Sequence, residues 1–129
     1  MEPIILSLLH DRVAMARLAT AARTVATIEG CVCAEGVRRS AAARLEVAAV
    51  ILDVDVPDRR STIPMIADLR ARHPMLPVIL YARVRRETVR RLLEAAKAGA
   101  TDFVLRDHDD DPLSFRAVLR SAVAALPGR

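Results

Sequence analysis

A chain of 129 residues with 53 % apolar side chains is long enough for one domain around one substantial core. Its formal charge of +4 is small, and the positive part is almost wholly arginine, Lys97 being the only lysine. One tyrosine, no tryptophan and no basic–aromatic interleaving leave single-strand nucleic-acid stacking without support, and no apolar run reaches the length of a membrane span.

Met1–Leu9 is too short for a secretory signal and lacks its basic start. Two cysteines, Cys31 and Cys33, exclude a disulfide scaffold and point to a reducing, cytoplasmic setting. Being two apart in a strand-like stretch, they are expected to share a buried face, and further metal ligands are lacking nearby. The alanine–arginine bias is read as compositional. Neither direct nucleic-acid binding nor a membrane contact is therefore expected.

Ile4–Leu9, bounded by Pro3 and His10-Asp11, reads as a first strand. Asp11 can cap a helix to about Arg23, with Val13, Leu18 and Ala22 inward. Ile28–Ala34 reads as a second strand and Glu35-Gly36 as a turn. The next helix should carry its core stripe on Val37, Ala41 and Leu45. Val47–Leu52 is a third strand, and the loop Asp53–Arg60 leads to a helix capped by Ser61 or Thr62. Pro64 is tolerable in its first turn, Ile63, Ile66 and Leu69 form its buried stripe, and His73-Pro74 stops it. Val78–Tyr81 is a fourth strand. A helix from about Arg85 to Ala98 should bury Val89, Leu92, Leu93 and Ala96 and close on Gly99. Phe103–Leu105 is a short fifth strand. Asp111-Pro112 caps a last helix carrying Phe115, Leu119, Ala122, Val123 and Leu126.

This five-fold alternation predicts an α/β fold: a doubly wound, flavodoxin-like (βα)5 parallel sheet in the order 2-1-3-4-5, as one domain over 1–126. Residues 127–129 read as the start of a C-terminal tether. The centre is Val47–Leu52, apolar without alternation as in a strand covered on both faces. It ends at Asp53, at the sheet edge where ligands bind in such folds.

The strand–Asp53–x–x–x–Pro57 arrangement resembles the phosphoacceptor segment of response-regulator receiver domains of two-component phosphorelay signalling. Ala34-Glu35-Gly36, Leu76-Pro77-Val78-Ile79 and Ala98-Gly99-Ala100-Thr101-Asp102-Phe103-Val104 resemble other family segments in the right order, so the resemblance covers essentially the whole chain. It implies that Asp53 is the phosphoacceptor-like residue and that the backbone of Asp55 would reach a metal. Ala82, Phe103 and Arg106 fall on the switch-like positions.

The resemblance also has gaps. The family's acidic pair after the first strand falls on Leu8 and Leu9; a shifted register would instead offer His10 and Asp11. The hydroxyl residue of the fourth strand is Ala82, the lysine of the fifth is Arg106, and the proline after it is Asp107. With Ala82 leaving room, Phe103 is expected to sit inward.

Three readings compete. The first is an atypical, pseudo-receiver module acting in signal transduction or transcription regulation by protein–protein contact, without phosphorylation and without a cofactor. The alternative is a phosphorylatable receiver using Asp53 with relaxed magnesium ligation. The third, a flavin or nucleotide enzyme on the same fold, lacks a glycine cluster to cradle phosphate and any hydrolase spacing, so no enzyme is expected. The acidic loop Asp107–Asp111 reads as solvated. The expected partner is another protein or an output domain of the same chain. A homodimer through the fourth helix, fifth strand and fifth helix is also expected, with Arg86, Arg90, Arg91, Asp102 and Asp107 on the interaction face.

Overall fold

A computed structural model describes residues 2–54, 59–105 and 112–124. Five strands, β1 (Ile4–Leu8), β2 (Thr27–Gly30), β3 (Val47–Leu52), β4 (Val78–Ala82) and β5 (Asp102–Leu105), alternate with five helices. These are α1 (Arg12–Ala22), α2 (Ala34–Ala43), α3 (Arg59–Arg72), α4 (Arg86–Ala98) and α5 (Pro112–Ala124). The strands pair in parallel in the order 2-1-3-4-5, as expected.

Every residue of β1, β3 and β4 is buried, because each of these strands has neighbours on both sides and helices on both faces. On one face Leu6, Val50, Leu52 and Leu80 meet α2, α3 and the inner side of α4. On the other, Ile5, Ile51, Ile79 and Tyr81 meet α1 and α5. Tyr81 stacks on Phe115 there, with ring centroids 5.9 Å apart. Each large aliphatic side chain so buried contributes about 1.5–3 kcal/mol relative to exposure.

Several expected details differ. Val13 is exposed and the α1 stripe is Ala14, Leu18, Ala21 and Ala22; Val13 precedes Leu18 by five residues, about 140° round the helix. Ala34-Glu35-Gly36 is not a turn but the first turn of α2, since β2 already stops at Gly30. Leu45 is 93 % exposed because α2 ends at Ala43 and Arg44 is extended, so the helical stripe stops before reaching it. Pro64 lies inside α3, which starts before Ser61.

On α4 the inward residues are Thr88 and Ala95, with Leu92 half-buried, whereas Val89, Leu93 and Ala96 face out. The Thr88 hydroxyl explains this phase: it accepts from the Arg85 N–H at 2.9 Å and donates to the Arg83 carbonyl at 2.7 Å. Satisfying the helix start in this way turns Thr88 inward and Val89 out.

Two arginines staple distant elements. Arg70 of α3 donates to the carbonyls of Pro74, Leu76 and Gly99, joining the turns before β4 and β5. Arg116 of α5 donates to the Ala21 and Thr20 carbonyls at the end of α1. Gly99 closes α4 at φ +130°, and a Cβ there would lie 2.9 Å from Arg70 Cβ and Cγ. Gly99→Ala should therefore cost about 1–3 kcal/mol, read as a lower urea midpoint at unchanged slope.

Candidate functional site

Parallel pairing brings the ends of β1, β3 and β4 to one edge, and the register places Leu8 beside Leu52 and Leu52 beside Leu80. Asp53 follows directly on Leu52 and is half-buried, its N–H donating to the Leu8 carbonyl at 3.3 Å. That bond extends the β1–β3 ladder by one step and holds Asp53 beside the end of β1. Ala82 ends β4 on the same edge and is buried. Asp53 and Ala82 thus close adjacent strands, as the sequence predicts. Asp55, Arg106 and the acidic loop Asp107–Asp111 lie outside the described residues, as do Leu126 and the expected tether.

Leu8 and Leu9, which the resemblance aligns with an acidic pair, are both buried, one against each face of the sheet. His10 is exposed, and Asp11 is engaged elsewhere, since its Oδ1 accepts the Val13 N–H at 2.8 Å and so caps α1. Asp11 thus has a capping role in the structure, as its position in the sequence suggests. Among the described residues, no group of three or more His, Cys, Asp or Glu is placed to hold a metal. At this edge the described residues do not fit a hard divalent cation, which needs several oxygen ligands.

Phe103 corrects an expectation. It is 37 % exposed instead of turned in, and it lines an open groove of about 420 Å³ with Leu80, Leu92 and Ala96. The reason lies in the packing of α4, which rests chiefly on α3 and covers the outer face of β5 only in part. Leu105, two residues on and on the same face, is equally exposed, while Val104 points to the α5 side and is buried.

Of the residues expected on the interaction face, all but Asp107 lie among the described residues. Arg86 and Arg90 are exposed and Arg91 half-buried on α4, Arg90 pairing with Glu94 at 3.5 Å. Asp102 starts β5 and accepts from the Thr101 hydroxyl at 3.2 Å. What the sequence does not reveal there is apolar: Val89, Leu93, Phe103 and Leu105 are all exposed. The cysteines are half-buried, not buried. Cys31 follows β2, and its thiol is pushed up by burial, with smaller contributions from Glu29 and Cys33; Cys33 is the residue before α2.

The fold is that of response-regulator receiver domains. The signal receiver domain of an HD domain-containing protein from Pseudomonas fluorescens Pf-5 superposes with a TM-score of 0.79 at 20 % identity, over 95 % of this chain and 88 % of that one. The BeF3-activated DrrB receiver domain gives 0.76 at 19 % identity, over 96 % and 99 %. A putative pilus assembly-related protein from Burkholderia pseudomallei K96243 gives 0.76 at 21 %, over 99 % and 94 %. No protein-family model matches the sequence, and no curated protein does.

Phe103 and Phe115 offer a direct check on the face described for β5. Phe115→Ala should cost ~3–5 kcal/mol, as expected for a buried ring, and Phe103→Ala well under half of that. Urea unfolding of the two variants measures both.

Proposed function

We propose that this domain is an atypical receiver that signals through protein–protein contact and not through phosphorylation of Asp53. The observation that carries this reading is the burial of Leu8 and Leu9 beside Asp53. Phosphoryl transfer to an aspartate brings negative charge onto negative charge, and a bound cation normally offsets that repulsion. Leucines supply no carboxylates for such a cation. Ala82 supplies no hydroxyl to the transferring group either, and one preorganised donor of that kind can be worth ~3 kcal/mol. Both losses act in the same direction.

Incubation with acetyl phosphate and magnesium should leave the intact mass unchanged. A stable gain of one phosphoryl group that Asp53→Asn abolishes would overturn this reading in favour of a phosphorylatable receiver with relaxed magnesium ligation.

The outer surface of α4 and β5 is the contact face. Exposed Val89, Leu93, Phe103 and Leu105 supply an apolar centre, and Arg86, Arg90 and Asp102 a charged rim. That division suits an interface, where the centre gives burial and the rim orientation. The occupant is a protein partner, an output domain or a second copy of the chain, and the mixed charges suit a two-fold homodimer. Sedimentation should show a concentration-dependent dimer that Leu93→Asp converts to monomer. A wild-type chain that stays monomeric at high concentration and low salt removes the dimer.

A further inference from the structure

Away from that edge and that face, α2 and α3 enclose an open groove of about 600 Å³. Three guanidinium groups line it, Arg38 and Arg39 from α2 and Arg72 from α3, with His73 at its end. Two carboxylates, Glu35 and Asp68, are shared among the three. Arg39 Nε stands 3.6 Å and Arg38 Nη1 3.7 Å from Glu35, both longer than a hydrogen bond. Arg72 Nε reaches Asp68 at 3.0 Å. Arg38 Nε lies 3.3 Å from the other Asp68 oxygen yet makes no hydrogen bond although it is buried, so that pair is misaligned.

The cations therefore outnumber the carboxylates, and the pairs made by Arg38 and Arg39 are loose. Arg39 and Arg72 are 81 % and 71 % exposed, one on each wall. Exposed ion pairs of this kind are worth only ~0–1 kcal/mol each, so exchanging a carboxylate for a better anion costs little. Guanidinium forks are suited to the paired oxygens of phosphate, and a concave site lets opposite walls grip one group. The groove volume lies within the range of small-molecule sites, about 300–1,000 Å³. Its lining also includes uncharged residues, Ala42, Pro64 and the buried Leu69.

We propose that the α2–α3 groove binds a compact, multiply charged phosphate compound, held by Arg38, Arg39 and Arg72. Neither Asp53 nor a metal takes part, so the site is independent of the signalling reading above. The shared chemistry is a short chain of phosphates, free or attached to a nucleoside, for which Ala42, Pro64 and Leu69 offer uncharged lining.

Isothermal titration of the full chain with adenosine triphosphate and, separately, with inorganic tripolyphosphate tests this, in the presence of a chelator to remove metal-dependent binding. The expected result is saturable one-to-one binding of at least one of the two, weakened tenfold or more by Arg39→Glu with Arg72→Glu. Tighter binding of the nucleotide identifies a nucleotide site, and equal or tighter binding of tripolyphosphate a site for phosphate alone. Because both arginines are exposed, the double variant should still unfold in one cooperative step, at a urea midpoint only slightly below that of the wild type as two weak ion pairs are lost. Arg39→Lys with Arg72→Lys should bind between the two, since charge is kept and the fork lost. Absence of saturable binding by both compounds, or binding unchanged in the glutamate variant, overturns the proposal.

Discussion

Everything in this fold depends on β3 being buried on both faces. Its six residues pair with β1 on one side and β4 on the other, and helices cover them above and below. A strand without an exposed face carries almost no charged residues, so its first carboxylate marks where it leaves the core. Asp53 is that residue. The same burial constrains β1, which must reach the same edge, and its last turn inward fixes Leu8 and Leu9 against the two faces of the sheet. The candidate site is thus a consequence of where a two-sided core ends.

Leucines in place of an acidic pair have an energetic meaning on this scaffold. Carboxylates crowded at one edge repel one another and must be desolvated or compensated by a cation. Leucines at the same positions extend both halves of the core instead, each by about 1.5–3 kcal/mol. Receiver-type chemistry accepts the first arrangement because the site needs the charge, an instance of stability given up for activity. The buried leucines belong with the second arrangement, and that is the physical content of the proposal that the domain is an atypical receiver.

β1, β3 and β4 were legible in the sequence because two-sided burial leaves long apolar runs, and the alternation of strands and helices gave their order, whereas the half-exposed β2 was placed too far along the chain. Asp11, Gly99 and the Asp53 edge were legible too, since caps and strand ends are local. Helix phase was not. In α1 the weak residues Ala14 and Ala21 go inside while Val13 stays out, because Leu18 sets the phase and hydrophobicity alone does not reveal it. In α4 the phase is set by a hydroxyl on Thr88 whose partners are backbone groups. Arg70 and Arg116 carried no signal at all: one reaches a carbonyl 29 positions along the chain, the other 95. Such staples exist only once the topology has brought helix ends together.

Phe103 shows how these misses connect. An inward ring follows if only the space freed at Ala82 is considered, which is a property of β4. The position of the ring is instead set by α4, whose phase Thr88 determines and whose packing leans on α3. Turning Thr88 inward moves Val89 and Leu93 outward, and the same lean uncovers Phe103 and Leu105. Four apolar side chains therefore become exposed on neighbouring elements through one hydroxyl cap and one packing preference. An exposed apolar group of this kind, rimmed by charge, is the usual mark of an interface, and here it arises on the face next to the edge where leucines stand in place of carboxylates. Leucines beside Asp53 and exposed apolar side chains on α4 and β5 are the two features on which the proposed reading, contact without phosphoryl transfer, rests.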